Sequence, residues 1–179
     1  MYDELRSFMS ADQYATCCDL ALHSEEKRFF NDALGKLCTE LVRMPVTYEQ
    51  DGAGMNAIAY LNYFNHNSDA WITELDVLPE QRQAFGLISL GGMPPELGYI
   101  DLVDLLKNDF ALDLYWKPKR LIRIREEIDQ QKQTLKWSQA LIPKTAQLRT
   151  GLFFEKNLKS VSSGSFRLCK HLPEFENSS

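Results

Sequence analysis

Residues 58–77, Ile58-Ala59-Tyr60-Leu61-Asn62-Tyr63-Phe64-Asn65-His66-Asn67-Ser68-Asp69-Ala70-Trp71-Ile72-Thr73-Glu74-Leu75-Asp76-Val77, carry the pattern that sets the fold class. Ile58, Tyr60, Asn62 and Phe64 alternate with Ala59, Leu61 and Tyr63. Trp71, Thr73, Leu75 and Val77 alternate with Ile72, Glu74 and Asp76. A period of two sends successive side chains to opposite faces of a strand. Between the runs, Asn65 to Asp69 has the composition of a turn. The stretch predicts an antiparallel hairpin whose second strand is half-buried, with an acidic outer face at Glu74 and Asp76.

Working downstream, Phe85–Leu90 and Glu96–Ile100 read as further strands around the turn Gly91-Gly92-Met93-Pro94-Pro95. Gly98 is expected to permit close backbone approach, and Tyr99 to pack with its hydroxyl at the rim. Asp101 is placed to cap a short helix through Leu106, since Leu102, Leu105 and Leu106 share a helical face. Ala111–Trp116 predicts a last short strand, closed by Pro118, with Trp71, Tyr115 and Trp116 in the core. Lys119–Gln139 reads as a polar helix with a sparse stripe at Leu121, Ile124, Ile128 and Leu135. Beyond it, Gly151–Phe154 suggests a short strand and Ser160–Ser165 a flexible linker.

Upstream the period changes to 3.6. Ser10 with Gln13 fits a capping box, and Tyr14, Cys17, Cys18, Ala21 and Leu22 form one stripe. Ser24 is the expected N-cap of a second helix, with Phe30, Ala33, Leu34, Leu37, Cys38 and Leu41 inward and Pro45 as its stop. Tyr48–Gly54 is polar and glycine-rich, a loop. The fold class is therefore α+β. It comprises an N-terminal helical hairpin (1–55), an antiparallel sheet of four to five strands (56–121), and a C-terminal basic helix with a partly flexible tail (122–179), expected to form one compact domain.

Composition narrows the function classes. Of 179 residues, 44% are hydrophobic and 25% charged, enough apolar surface for a real core. No run approaches the ~18 apolar residues of a membrane span, and Met1-Tyr2-Asp3-Glu4 is not the start of a secretory signal, so a cytoplasmic location in a bacterial host is expected. The four cysteines lack CxxC spacing; Cys17 and Cys38 read as small core residues. The net charge of -5 is unevenly spread. Residues 1–116 hold 7 Lys/Arg and 19 Asp/Glu, a net of -12, whereas residues 117–179 hold 13 and 6, a net of +7. Such asymmetry points to a charged partner or to packing of the basic segment on the acidic body.

Motifs of catalysis are missing. Gly91-Gly92 is followed by Met-Pro-Pro and not by Lys-Ser/Thr, and no nucleophile elbow or HExxH occurs. His23, His66 and His171 lie far apart, and His66 reads as a solvated turn residue. No catalytic residue, metal ligand or cofactor is assigned. Glu74 and Asp76, joined by Asp101 and Asp104, have the chemistry of a divalent-metal site, of a solvated acidic face or of a binding surface. Lys117, Lys119, Arg120, Arg123 and Arg125 put five cations in nine residues, suited to phosphates or to pairing with Glu126, Glu127 and Asp129 along the helix.

The succession of a tryptophan strand (Trp71–Asp76), Phe85-Gly86-Leu87, Glu96-Leu97-Gly98-Tyr99 and Leu112-Asp113-Leu114-Tyr115-Trp116-Lys117-Pro118-Lys119 resembles an uncharacterised family of small bacterial domains carried by plasmids and phages. The resemblance covers residues 56–121. It implies a mobile-element accessory protein, and such proteins often act on host defence or transfer. The function expected is non-enzymatic binding and inhibition of a bacterial defence complex, in the manner of an anti-CRISPR protein. Its acidic surface (Asp69, Glu74, Asp76, Glu80, Glu96, Asp101 and Asp104) would dock on the partner's basic nucleic-acid-binding groove. The alternatives are a nucleic-acid-binding module using the basic third and a metal-dependent enzyme built on the carboxylates.

Overall fold

The computed structural model describes residues 2–76 and 82–141. Two compact units divide the chain, Met1–Gln130 and Gln131–Ser179; of the second, residues 131–141 are described, as the end of a helix. The expected strand at 151–154, the linker at 160–165 and Glu80 lie outside the described residues.

The helices are α1 (Ala11–His23), α2 (Lys27–Arg43), α3 (Leu102–Lys107) and α4 (Leu121–Leu141). The strands are β1 (Ile58–Ala59), β2 (Leu61–Asn65), β3 (Ser68–Leu75), β4 (Gln83–Ser89), β5 (Glu96–Asp101), β6 (Ala111–Leu112) and β7 (Lys119–Arg120). An antiparallel sheet of five runs β5-β4-β3-β2-β6, and β1 pairs with β7 as a separate two-stranded ribbon. The α+β class stands as expected: N-terminal helices, sheet, C-terminal helix.

Periodicity explains the helical hairpin. Cys17 and Ala21 of α1 and Phe30, Ala33, Leu34 and Leu37 of α2 are buried. Ser10 caps α1, its hydroxyl accepting the Gln13 N–H at 3.2 Å. The Gln13 side chain does not complete the box. Its amide donates to the Leu112 carbonyl at 2.7 Å and accepts the Leu112 N–H at 3.1 Å, so it stands beside β6 in the way a further strand would. Ser24 does not cap α2 either; its hydroxyl donates to the Leu20 carbonyl at 2.6 Å and closes the end of α1, while α2 starts without a side-chain cap.

The central strand β3 is covered on both faces, which corrects the half-buried expectation. Ala70 and Ile72 join Leu61, Tyr63, Ala84, Ile100 and Leu112 against α1, α2 and α3. Trp71 faces the other way, packing with Ala59, Leu87, Leu121 and Ile124. Fully buried Tyr63 donates its hydroxyl to the Phe8 carbonyl at 2.9 Å, tying the N-terminal segment to the sheet. A bulge between Ile72 and Glu74 lets Thr73 donate its hydroxyl to the Phe85 carbonyl at 2.9 Å.

Downstream of α3 the expectation fails at three points. Ala111 and Leu112 pair with β2, and the Asp113 N–H still donates to the Asn62 carbonyl at 2.8 Å; Asp113 then turns the chain, its carboxylate accepting the Tyr115 N–H at 2.9 Å. Tyr115 is not core: it is 37% exposed and stacks on Phe29 at 5.4 Å, while half-buried Trp116 donates its indole N–H to the Ala59 carbonyl at 3.0 Å. Lys119 and Arg120 are strand, opposite Ala59 and Ile58, so α4 begins at Leu121. Along α4 the stripe is inward at Leu121, Ile124 and partly Ile128, whereas Leu135 is 61% exposed.

Candidate functional site

The end of the sheet away from the 66–67 turn carries a cleft of about 370 Å³. Its outer wall is the loop after α2. Val46 makes a parallel bridge to Leu75, and the Thr47 N–H donates to the Leu75 carbonyl at 2.8 Å, so the chain first runs alongside β3. It then reverses at Tyr48, whose φ of 78° is a left-handed conformation rarely adopted by an aromatic residue. Glu74 imposes that reversal. Its carboxylate accepts the backbone N–H of Tyr48 at 3.1 Å and of Gln50 at 2.5 Å. Gln50 adds its own side chain, which accepts the Ile58 N–H at 2.7 Å and donates to the Ile58 and Thr73 carbonyls. Gly52 and Gly54 take positive φ to bring the chain back to β1.

The floor is Thr73 and Phe85, and the inner wall is Leu97 and Tyr99 of β5. Tyr99 meets Phe85 edge-on at 5.3 Å. Its hydroxyl lies 3.2 Å from that of Tyr48, across the mouth of the cleft. Tyr48 and Tyr99 are 72% and 60% exposed, so both rings offer faces to solvent. The hydrogen bond with Tyr48 raises the Tyr99 hydroxyl above its ordinary pKa, helped by burial and by the negative charges of Glu74 and Asp76. The cleft thus combines aromatic faces with negative potential, which suits a cationic group.

The six described carboxylates of the expected acidic face, Asp69, Glu74, Asp76, Glu96, Asp101 and Asp104, do not share one face. Glu74 is 4% exposed and faces inward, because loop amides occupy its oxygens. Asp69 lies opposite Ser89 and Glu96 opposite Ile88, adjacent register positions and therefore opposite faces at the turn end of the sheet. Asp76 and Asp101 gather at the cleft end. The Asp76 N–H donates to the Gln83 carbonyl, and Gln83 is the register partner of Asp101. Two strand spacings of about 4.8 Å separate them. Asp101 caps α3 as expected, accepting from Val103 and Asp104, while exposed Asp104 pairs with Lys107 at 3.2 Å. The nearby Arg82 turns its guanidinium to the Ser7 carbonyl.

The basic set is divided. Lys119 pairs with Glu127 at 2.7 Å and lies over the Trp116 ring; Arg123 pairs with Glu126 at 2.9 Å. Lys117, Arg120 and Arg125 are exposed, on a loop, a strand and a helix respectively. Among the described residues, no group of three His, Cys, Asp or Glu side chains is placed to hold a metal ion, and no helix is long and apolar enough to cross a membrane. Glu74 and Asp76 share a sheet face without forming an exposed pair.

Sequence reading located this site in part. It marks Glu96 to Tyr99 as a loop or a turn, with Tyr99 at a packed rim and Gly98 at a close approach, and reads 48–54 only as a loop. In fact nothing lies within 4 Å of where a Gly98 Cβ would be. Tyr48 and Gln50 carry no signal, because their placement depends on the buried Glu74, and Phe85 is legible only as part of a strand. No protein-family model, curated protein or solved structure matches the chain.

Proposed function

We propose that the chain is a protein-binding module that seats its cleft end on a basic surface of a partner, without catalysis of its own. The observation that carries this reading is the hydroxyl-linked pair Tyr48–Tyr99, exposed at the mouth of a cleft beside the Glu74 and Asp76 charges. Exposed tyrosines give contact area at small entropic cost, and their ring faces hold Lys or Arg side chains. The surplus of acid in residues 1–116 adds steering toward positive surfaces. Inhibition of a bacterial defence complex is the instance of this reading favoured by the -12 charge of residues 1–116 together with the mobile-element context of the resemblance: the cleft end would compete with nucleic-acid phosphates for the same Lys and Arg side chains.

The test is binding of the tagged full chain to a purified CRISPR effector complex, with and without nuclease. The expected result is capture that survives the nuclease, competes with the effector's nucleic acid and weakens at least tenfold in Asp76→Lys/Asp101→Lys. Binding unchanged by that charge reversal, or capture lost with the nucleic acid, would overturn the reading. The second outcome would shift the function to Arg120, Arg123 and Arg125.

A further inference from the structure

The cleft borders an edge of the sheet, and the register fixes what that edge offers. In an antiparallel pair, residues alternate between those that exchange both backbone bonds with the neighbour and those that turn both groups away. The Leu102 N–H donates to the Arg82 carbonyl, which sets the phase for β4 and β5. The pairs Ala84–Ile100, Gly86–Gly98 and Ile88–Glu96 then exchange bonds. Two bonds on the far side of β4 agree. The Gln83 carbonyl accepts from Asp76 and the Phe85 carbonyl from Thr73, so both residues point toward β3 and not toward β5. Leu97 and Tyr99 therefore turn N–H and C=O outward, and among the described residues nothing pairs with them. Their side chains are the inner wall of the cleft.

We infer that this edge takes up an extended Lys/Arg-bearing segment of a partner protein as an added strand. The inference rests on the binding-module reading above and gives it a mode and a partner chemistry. An added strand bonds through the backbone at Leu97 and Tyr99, and its residues opposite these two share their sheet face. A side chain opposite Tyr99 thus lies beside the Tyr48–Tyr99 hydroxyl pair and the field of Glu74 and Asp76. A residue two further along lies beside exposed Asp101. Cations at alternate positions match both places. A Gly98 with open space around its Cβ position presents no side chain to obstruct the incoming backbone. Charge decides against a second copy of this chain, since pairing two edges would bring together two bodies whose first 116 residues each carry -12.

The probe is a fluorescein-labelled (Lys-Val)4 peptide titrated into the full chain and read by anisotropy. Leu97→Pro removes an outward donor at a position where an edge strand tolerates proline, and Leu97→Ala keeps it. Peptide N-methylated at alternate residues tests the same bonds with the protein unaltered. The expected result is saturable binding that falls at least tenfold with Leu97→Pro and with N-methylation on one register, and less than threefold with Leu97→Ala. Equal binding of plain and methylated peptides would overturn the added strand while leaving side-chain recognition by the cleft intact. Absence of binding by the plain peptide would overturn the inference, and the effector experiment above would still decide the broader reading. A dimer in sedimentation velocity that Leu97→Pro dissolves would assign the edge to a second copy and overturn it too.

Discussion

The Glu74 carboxylate accepts the backbone N–H of Gln50, 24 residues earlier in the chain, and the Gln50 side chain bonds the Thr73 carbonyl next door. Strand and loop are therefore stitched in both directions, and the Tyr48 wall of the cleft depends on one buried carboxylate. Glu74→Gln turns an NH2 group toward one of these amides and leaves a buried donor unmet, at a cost of about 1–3 kcal/mol. The expected outcome is faster hydrogen exchange at Tyr48 and Gln50 and a Tm lower by several degrees, measured by exchange mass spectrometry and calorimetry. Unchanged exchange would show that the loop holds its shape by itself.

Gly86 and Gly98 are register partners with opposite requirements. A Cβ on Gly86 would lie 2.1 Å from the Trp71 carbonyl oxygen, whereas one on Gly98 meets nothing. Gly86→Ala forces two strands apart and is expected to cost about 1–3 kcal/mol. Gly98→Ala is expected to be neutral or to stabilise by a few tenths, through about the usual loss of unfolded-state freedom. Urea denaturation of both variants checks the contrast; equal effects would contradict the register.

Burial, and then its neighbour Cys18, pushes the Cys17 thiol from an ordinary value near 9.0 up to about 11. The fold favours the protonated thiol. Its contribution to stability is complete below the unfolded pKa and is lost as pH rises through about 9 toward 11. Iodoacetamide at pH 8 is expected to label Cys17 at least tenfold more slowly in the folded protein than in urea, since the thiolate is the reacting form. Equal rates would place Cys17 at the surface.

Asn62 sits opposite Trp71 at 7% exposure, and its side-chain oxygen is buried without a hydrogen-bond partner among the described residues. Asn62→Leu removes an unmet acceptor and adds apolar contact, with an expected gain of about 1 kcal/mol in unfolding free energy. Thermal unfolding checks the sign; a loss would indicate that this oxygen is satisfied by an internal water.

Much of the architecture was legible where one rule acted alone. The 3.6 period gave both N-terminal helices, the period of two gave the hairpin, and Asp101 announced its cap. Failures came where distant partners decide. Lys119 and Arg120 carry a helical pattern locally, but Ile58 and Ala59, some sixty residues earlier, claim them as strand. Glu74 looks like a solvent-facing carboxylate in any alternation, because its partners are backbone amides of a loop and leave no trace in side-chain patterning. For the same reason the cleft was legible only as two separate stretches.

The two margins of the sheet differ in one further respect. Beside β6, the Gln13 side-chain amide already holds the Leu112 N–H and C=O, so that margin has no vacancy for a newcomer at this residue. Open-ended stacking of sheets into fibrils requires each unit to be joined on both sides. A chain with one stoppered margin terminates such growth after a single addition. The glutamine that forgoes its place in a helix cap would thereby make the strand capture inferred above a one-to-one event.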